Sequence, residues 1–150
     1  MPKTHHRKPI SSGPLLDKKS KEYVLSKAQD HNVKFIRLWF SDILGLLKSF
    51  AITVDELKEA MDEGKFFDGS SIEGFARNEE SDMRAFPDPA TFQLLPWRPR
   101  ENAVARMFCD IRGVQGAPFD GDPRQCLKRI LTKASDLGYT FYVGPEIEFF

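Results

Sequence analysis

The sequence predicts an α+β fold: a small unit of short strands with a helix laid across one sheet face, followed by the opening of a second unit. Three observations predict it. Residues 33–53, "VKFIRLWFSDILGLLKSFAIT", place two alternating stretches around the turn "SDILG", the pattern of a β-hairpin with a longer loop. Two clean helix starts are present, Thr53 with Glu56 three residues on, and Asp122 followed by Pro123. Between them Pro87, Pro89, Pro96 and Pro99 cut the chain into short extended pieces. A chain of 150 residues, 41% hydrophobic and 29% charged, is apolar enough to fold. Its longest apolar run falls well short of the ~18 residues that a membrane-spanning helix needs, so no membrane partner is expected.

The elements follow in order. Residues 1–17, with "MPKTHHRKPISSGP", read as a flexible basic tail without the apolar core of a secretory signal. Lys3, Arg7, Lys8, Lys18, Lys19 and Lys21 raise nucleic-acid contact against a solvated terminus. A net charge of zero over the chain favours the terminus, and no nucleic-acid partner is expected. His5 and His6 lack the partners that a metal site needs. A helix is expected from Lys18 to His31 on the spacing of Tyr23, Val24, Ala28 and His31, with Asn32 as its stop. In the strand 33–40, Ile36, Leu38 and Phe40 share one face; Val33, Phe35 and Trp39 share the other with Arg37.

Thr53 caps the next helix, whose inner side is Val54, Leu57, Lys58 and Met61, and Gly64 ends it in the left-handed conformation. "TFQLL" (91–95) and "AVARMFCDI" (103–111) are the strands expected after it. These elements make one domain, residues 18–111. Residues 112–150 read as the incomplete beginning of another: Asp122 caps a helix with Gln125 in the box position. Leu127, Ile130, Leu131 and Ala134 form its buried side, Gly138 closes it, and "YTFYVGPEIEFF" is a strand. Cys109 and Cys126 make no disulfide framework, nothing argues for export, and the cytoplasm is the expected compartment.

Two stretches carry candidate chemistry. If 139–150 is a strand, Glu146 and Glu148 project from one face with Cα atoms roughly 6.5 Å apart. Like charges among Phe141, Tyr142, Val143, Ile147, Phe149 and Phe150 are costly to bury unless a divalent cation neutralises them; Mg²⁺ or Mn²⁺ suits their hard oxygens. The plainer reading is the wet face of an amphipathic strand. In "FFDGSSIEGF" (66–75), Asp68 either presents a carboxylate outward to a cation or proton, or caps its own turn through the amide two residues on. Ile72 and Phe75 would pack this loop down, and Glu79, Glu80 and Asp82 make its far side acidic beside Arg77 and Arg84. There is no Walker-type glycine loop or dinucleotide fingerprint.

Taken together, "FFDGSSIEGF", "NEESDM", "FDGDPR" and "GPEIEFF" resemble, in order and separation, the amino-terminal third of a type I glutamine synthetase, in the form found in many Gram-positive bacteria and in archaea. The resemblance runs from Tyr23 to Phe150. It implies an N-terminal β-grasp domain followed by a truncated start of the catalytic domain. It implies a ligase that joins ammonium to glutamate with ATP through γ-glutamyl phosphate. By resemblance, Glu146 binds the metal on the nucleotide side and Glu148 the metal on the glutamate side, Mg²⁺ or Mn²⁺. Asp68 helps to bind ammonium and takes its proton, reaching the site of a neighbouring subunit in a homo-oligomer, a dodecamer of twelve chains in the complete enzyme. Phe75 stands where some members have tryptophan, Ile147 where many have proline, and Arg77 matches an arginine linked to glutamine feedback. The remaining ligands of the family lie beyond Phe150, so the 150-residue chain is expected to make no glutamine by itself. The rival is a non-catalytic grasp-like module that docks to partner chains; reading the frame past Phe150 separates the two.

Overall fold

Helix α1 (Lys21–Asp30) begins at Ser20, whose hydroxyl accepts the Tyr23 amide, and buries Val24 and Ala28. It stops at Asn32, which takes a positive φ of 49° while its side chain donates to the Glu101 carbonyl. These coordinates are a computed structural model that describes residues 20–70, 72 and 82–150. The basic tail and Phe75, Arg77, Glu79 and Glu80 lie outside the described residues.

The expected hairpin forms, β1 (Val33–Ser41) antiparallel to β2 (Leu47–Thr53) in a register from Phe35↔Thr53 to Ser41↔Leu47. Ile36, Leu38 and Phe40 are buried as expected. Val33 is buried with them rather than sharing the face of Phe35 and Trp39. An irregularity in register between Val33 and Phe35 is the cause, since one extra residue reverses the side-chain alternation. In the turn, the buried Asp42 carboxylate accepts the amides of Leu44 at 3.0 Å and Leu46 at 2.8 Å.

Thr53 opens a 3-10 turn (Val54–Glu56) that runs into α2 (Leu57–Glu63). The Thr53 amide donates to Glu56 at 3.0 Å, and Lys65 pairs with the same carboxylate. Leu57, Ala60 and Met61 form the buried side. Lys58, expected there, lies about 100° around the helix from Leu57 and reaches Asp62 in solvent at 3.3 Å. Gly64 ends α2 with φ 76° and ψ 167°, an extended conformation open in practice only to glycine rather than the left-handed one expected.

Two strands were not foreseen, β3 (Lys65–Asp68) and β4 (Asp82–Pro87), which pair antiparallel. The stretch 91–95 keeps only β5 (Gln93–Leu94), because Asp88 accepts the Ala90 amide and starts a 3-10 turn over Pro89–Thr91. The long β6 (Ala103–Gly113) is central. The sheet order is β2-β1-β6-β4-β3 with β5 on β6; β1 and β6 are parallel and the other pairs antiparallel. Ala105, Met107, Cys109 and Ile111 of β6 join the inner residues of β1 and β4 under α1 and α2, which makes an α+β core with its helices on one face. The sheet curls: Phe50 on edge strand β2 and Phe67 on the opposite edge strand β3 have ring centroids 5.5 Å apart, and Phe40 lies 5.0 Å from Phe67.

Helix α3 (Pro123–Asp136) starts as expected, with the Asp122 side chain accepting the Arg124 amide. Its apolar side does not face the sheet: Leu127, Ile130 and Leu131 are exposed, because no element of the described chain covers them. Residues 139–150 form no strand and are exposed. Extended chain becomes a strand only when a neighbour completes its ladder, and none lies alongside.

Two outcomes follow for stability. A Cβ at Gly64 would sit 2.8 Å from the half-buried Phe86 ring, so Gly64→Ala adds backbone strain to a displaced ring on the outer sheet face. Urea unfolding should show a loss of about 2–4 kcal/mol. Lys65 first, then the Thr53 amide and hydroxyl, hold the Glu56 carboxyl down to about 2 against an ordinary 4.5. Its contribution is therefore complete above pH 4.5 and is lost as pH falls toward 2. In Glu56→Gln the melting temperature should depend less on pH across that window, and an unchanged slope would contradict this role.

Candidate functional site

Asp68 is the last residue of β3, and its position follows from strand alternation. Phe67 turns inward against Phe40 and Phe50, so Asp68 turns outward and is exposed. Its Oδ1 accepts the Ser70 amide at 2.8 Å, and the Ile72 amide closes the loop on the Gly69 carbonyl at 3.0 Å. The turn-capping reading is thus realised in a carboxylate that also faces solvent. Ser70, through its hydroxyl and then its amide, holds the Asp68 carboxyl below the usual aspartate range. Ile72 packs against the core, as a loop anchor should. Asp82 stands directly opposite Asp68 in the β3–β4 register, so two carboxylates share this end of the sheet.

Glu146 and Glu148 lie in the exposed segment after α3. No hydrogen bond or ion pair among the described residues joins them to Asp68, and no group of three or more His, Cys, Asp or Glu converges there to hold a metal. Their donor set still suits a hard divalent cation: two carboxylates, both exposed, on alternate residues.

Two features escaped the reading of the sequence. On the outer sheet face, arginines lie over aromatic rings: Arg84 over Phe66 at 4.2 Å, Arg112 over Phe86 at 4.3 Å and Arg106 over Phe108 at 4.8 Å. The alternation of β6, in which Arg106, Phe108, Asp110 and Arg112 share one side, is the signal that could have found them. The second is a charge cluster of Asp88, Asp110, Arg124 and Lys128 where α3 meets the sheet. Its signal was Arg124 in "FDGDPR", a segment used for the helix start and the family resemblance but not for its arginine. Both cysteines are free; Cys109 is buried, which pushes its thiol well up, and Cys126 is exposed. Among the described residues no helix is long and apolar enough to cross a membrane.

The family model of the glutamine synthetase β-grasp domain matches residues 32–113, and that of the glutamine synthetase catalytic domain matches residues 120–150. Among curated proteins, a glutamine synthetase of Mycobacterium bovis is 55% identical over 134 residues, which is 88% of this chain and 30% of that protein. One of Methanosarcina mazei is 51% identical over 131 residues, 87% of this chain and 29% of that protein. The chain thus spans about 30% of the length of these relatives. Among solved structures, that of a GmaS/ADP complex superposes with a TM-score of 0.69 at 26% identity, covering 76% of this chain and 26% of the other. The cryo-EM structure of Plasmodium falciparum glutamine synthetase, 23% identical with a TM-score of 0.69, covers 88% of this chain and 24% of the other and shares the fold. With one domain matched across more than half of its residues and relatives about half-identical along nearly nine-tenths of it, the chain belongs to the glutamine synthetase family.

Proposed function

We propose that this chain supplies the ammonium loop and the first two metal-binding carboxylates of an ATP-dependent glutamate–ammonia ligase, which forms glutamine through γ-glutamyl phosphate. The observation that carries the reading is the coincidence of the family match with an outward, rigidly framed Asp68 at the end of β3. Ring packing beneath Phe67 and the Ser70 bond fix that carboxylate before any ligand arrives, so little ordering entropy is left to lose on binding.

A carboxylate held below the usual range is ionised at neutral pH and attracts ammonium. It is correspondingly a weak base. Asp68 therefore holds the cation more readily than it takes the proton, and transfer is drawn forward as ammonia is consumed by attack on the acyl phosphate. Glu146 is assigned to the metal on the nucleotide side and Glu148 to that on the glutamate side, with Mg²⁺ or Mn²⁺ as the ion. When bound, such ions withdraw charge from the phosphoryl group in transfer. Both glutamates are exposed on one short segment and would hold such ions from there. Because the loop would serve a neighbour's site, the working form is a homo-oligomer, a ring of twelve chains in the complete enzyme. Two free thiols suit a reducing compartment, and the cytoplasm is the proposed location.

The 150-residue chain alone, given ATP, glutamate, ammonium and Mg²⁺ or Mn²⁺, should release no phosphate above the buffer rate, since its two glutamates fill only part of each coordination shell. Glutamate-dependent release would overturn this. In a full-length enzyme carrying this sequence, Asp68→Asn should lower kcat about 10²–10⁴-fold and raise KM for ammonium while sparing that for ATP. Steady-state kinetics with wild-type values for all three substrates would remove Asp68 from the site.

A further inference from the structure

Helix α3 meets the sheet through charge rather than apolar packing. Arg124, in its first turn, donates from Nε to Asp110 Oδ1 at 2.9 Å and from Nη2 to Asp88 Oδ2. Lys128, one turn on, pairs with the second oxygen of Asp110. The three segments involved are distant in sequence: Asp88 follows β4, Asp110 lies in β6, and both cations lie in α3. Two positive and two negative groups balance. Asp110 is only 14% exposed and Arg124 only 28%, so solvent screens the pairs less than it would on an open surface.

The Arg124 guanidinium also lies over the Phe108 ring at 6.0 Å. Beneath the cluster, Asp122 is buried, with one oxygen accepting the Ile111 amide of β6 and the other the Arg124 amide, each at 2.9 Å. The helix is thus joined to β6 by a backbone tie and by a forked side chain that a lysine could not reproduce.

These partners connect the two ends of the candidate site. Asp88 directly follows β4, the strand that pairs with β3 and Asp68. Helix α3 leads directly into the segment that carries Glu146 and Glu148. We propose that Arg124 is a positioning residue: its fork between Asp88 and Asp110, backed by Lys128, sets the direction in which α3 and the Glu146–Glu148 segment leave the sheet that holds Asp68. The catalytic meaning of this clamp rests on the proposed function; the clamp itself does not, and its test needs no turnover.

Cys126 is exposed on α3 and Cys109 is buried, so a nitroxide on the native chain reports the helix alone. In the wild type the label should be ordered at low salt and loosen in 1 M NaCl (about a 3 Å screening length). Arg124→Ala should free it at every salt concentration and speed amide exchange of α3 at least about tenfold, the scale of a lost charge-assisted hydrogen bond. Arg124→Lys should recover part of the order, keeping charge without the fork. Arg129→Ala, which removes only an exposed pair with Asp120, should change nothing. If Arg124→Ala also raises exchange in β1 and β6, Asp88→Asn decides in its place by the same readings. An ordered label with unchanged α3 exchange in the deciding variant overturns the clamp. So does loosening that is independent of salt and not recovered by lysine, the mark of packing alone.

Discussion

The meeting of Phe40, Phe50 and Phe67 governs the shape of this molecule. Phe50 and Phe67 belong to opposite edges of the sheet order, yet their rings lie 5.5 Å apart, which a flat sheet of that width could not allow. The contact closes the sheet into a half-barrel over its core. Aromatic pairs of this kind contribute about 0.5–1.5 kcal/mol beyond simple burial. Here their larger effect is geometric. With Phe67 committed to the inside, pleating commits Asp68 to the outside, and the Ser70 amide then fixes its carboxylate. The candidate ammonium ligand is positioned by a hydrophobic contact on the other side of its own strand.

What was legible in the sequence was what local chemistry decides. The β1–β2 hairpin, the 3-10 turn that opens at Thr53 and leads into α2, and the start of α3 at Asp122 depend on residues a few positions apart. β3 and β4 were missed because they are strands only by virtue of each other and β6; β4 carries Asp82, Arg84 and Pro87, which read as a broken loop. The apolar stripe of α3 was correctly seen, but amphipathicity says which side is greasy and not whether anything lies against it. The alternation placing Glu146 and Glu148 on one face presupposes a ladder, and the segment has none. For Asp68 the sequence left open a turn cap or an outward carboxylate, and the structure shows the cap bond in a carboxylate that faces solvent. The role proposed for it came only from the company of other motifs, because one carboxylate at one turn looks alike in either case.

The two faces of the sheet are held by different forces. Inside, Ile36, Leu38, Met107 and Ile111 are sealed from water, and their attraction scales with the area removed. Outside, guanidinium groups lie over the half-buried Phe86 and Phe108 rings and over Phe66, which stays exposed. Arginine suits this arrangement because it is planar and weakly hydrated, so it shields a ring without surrendering its charge. The same chemistry continues into the attachment of α3, where Arg124 serves both Phe108 and two carboxylates.

The parallel pairing of β1 with β6 joins Val33 to Ala103 across most of the domain. On the ribosome, β1 would emerge long before, and β4 shortly before, the strand that lies between them. Until Gly113 clears the exit tunnel, the nascent chain can assemble the hairpin, its helices and the β3–β4 ribbon, with two raw edges waiting for one late insertion. Folding of this domain is thus gated by its last strand, and a ribosome stalled before that point would display sticky, half-built sheet to the chaperones of the cell.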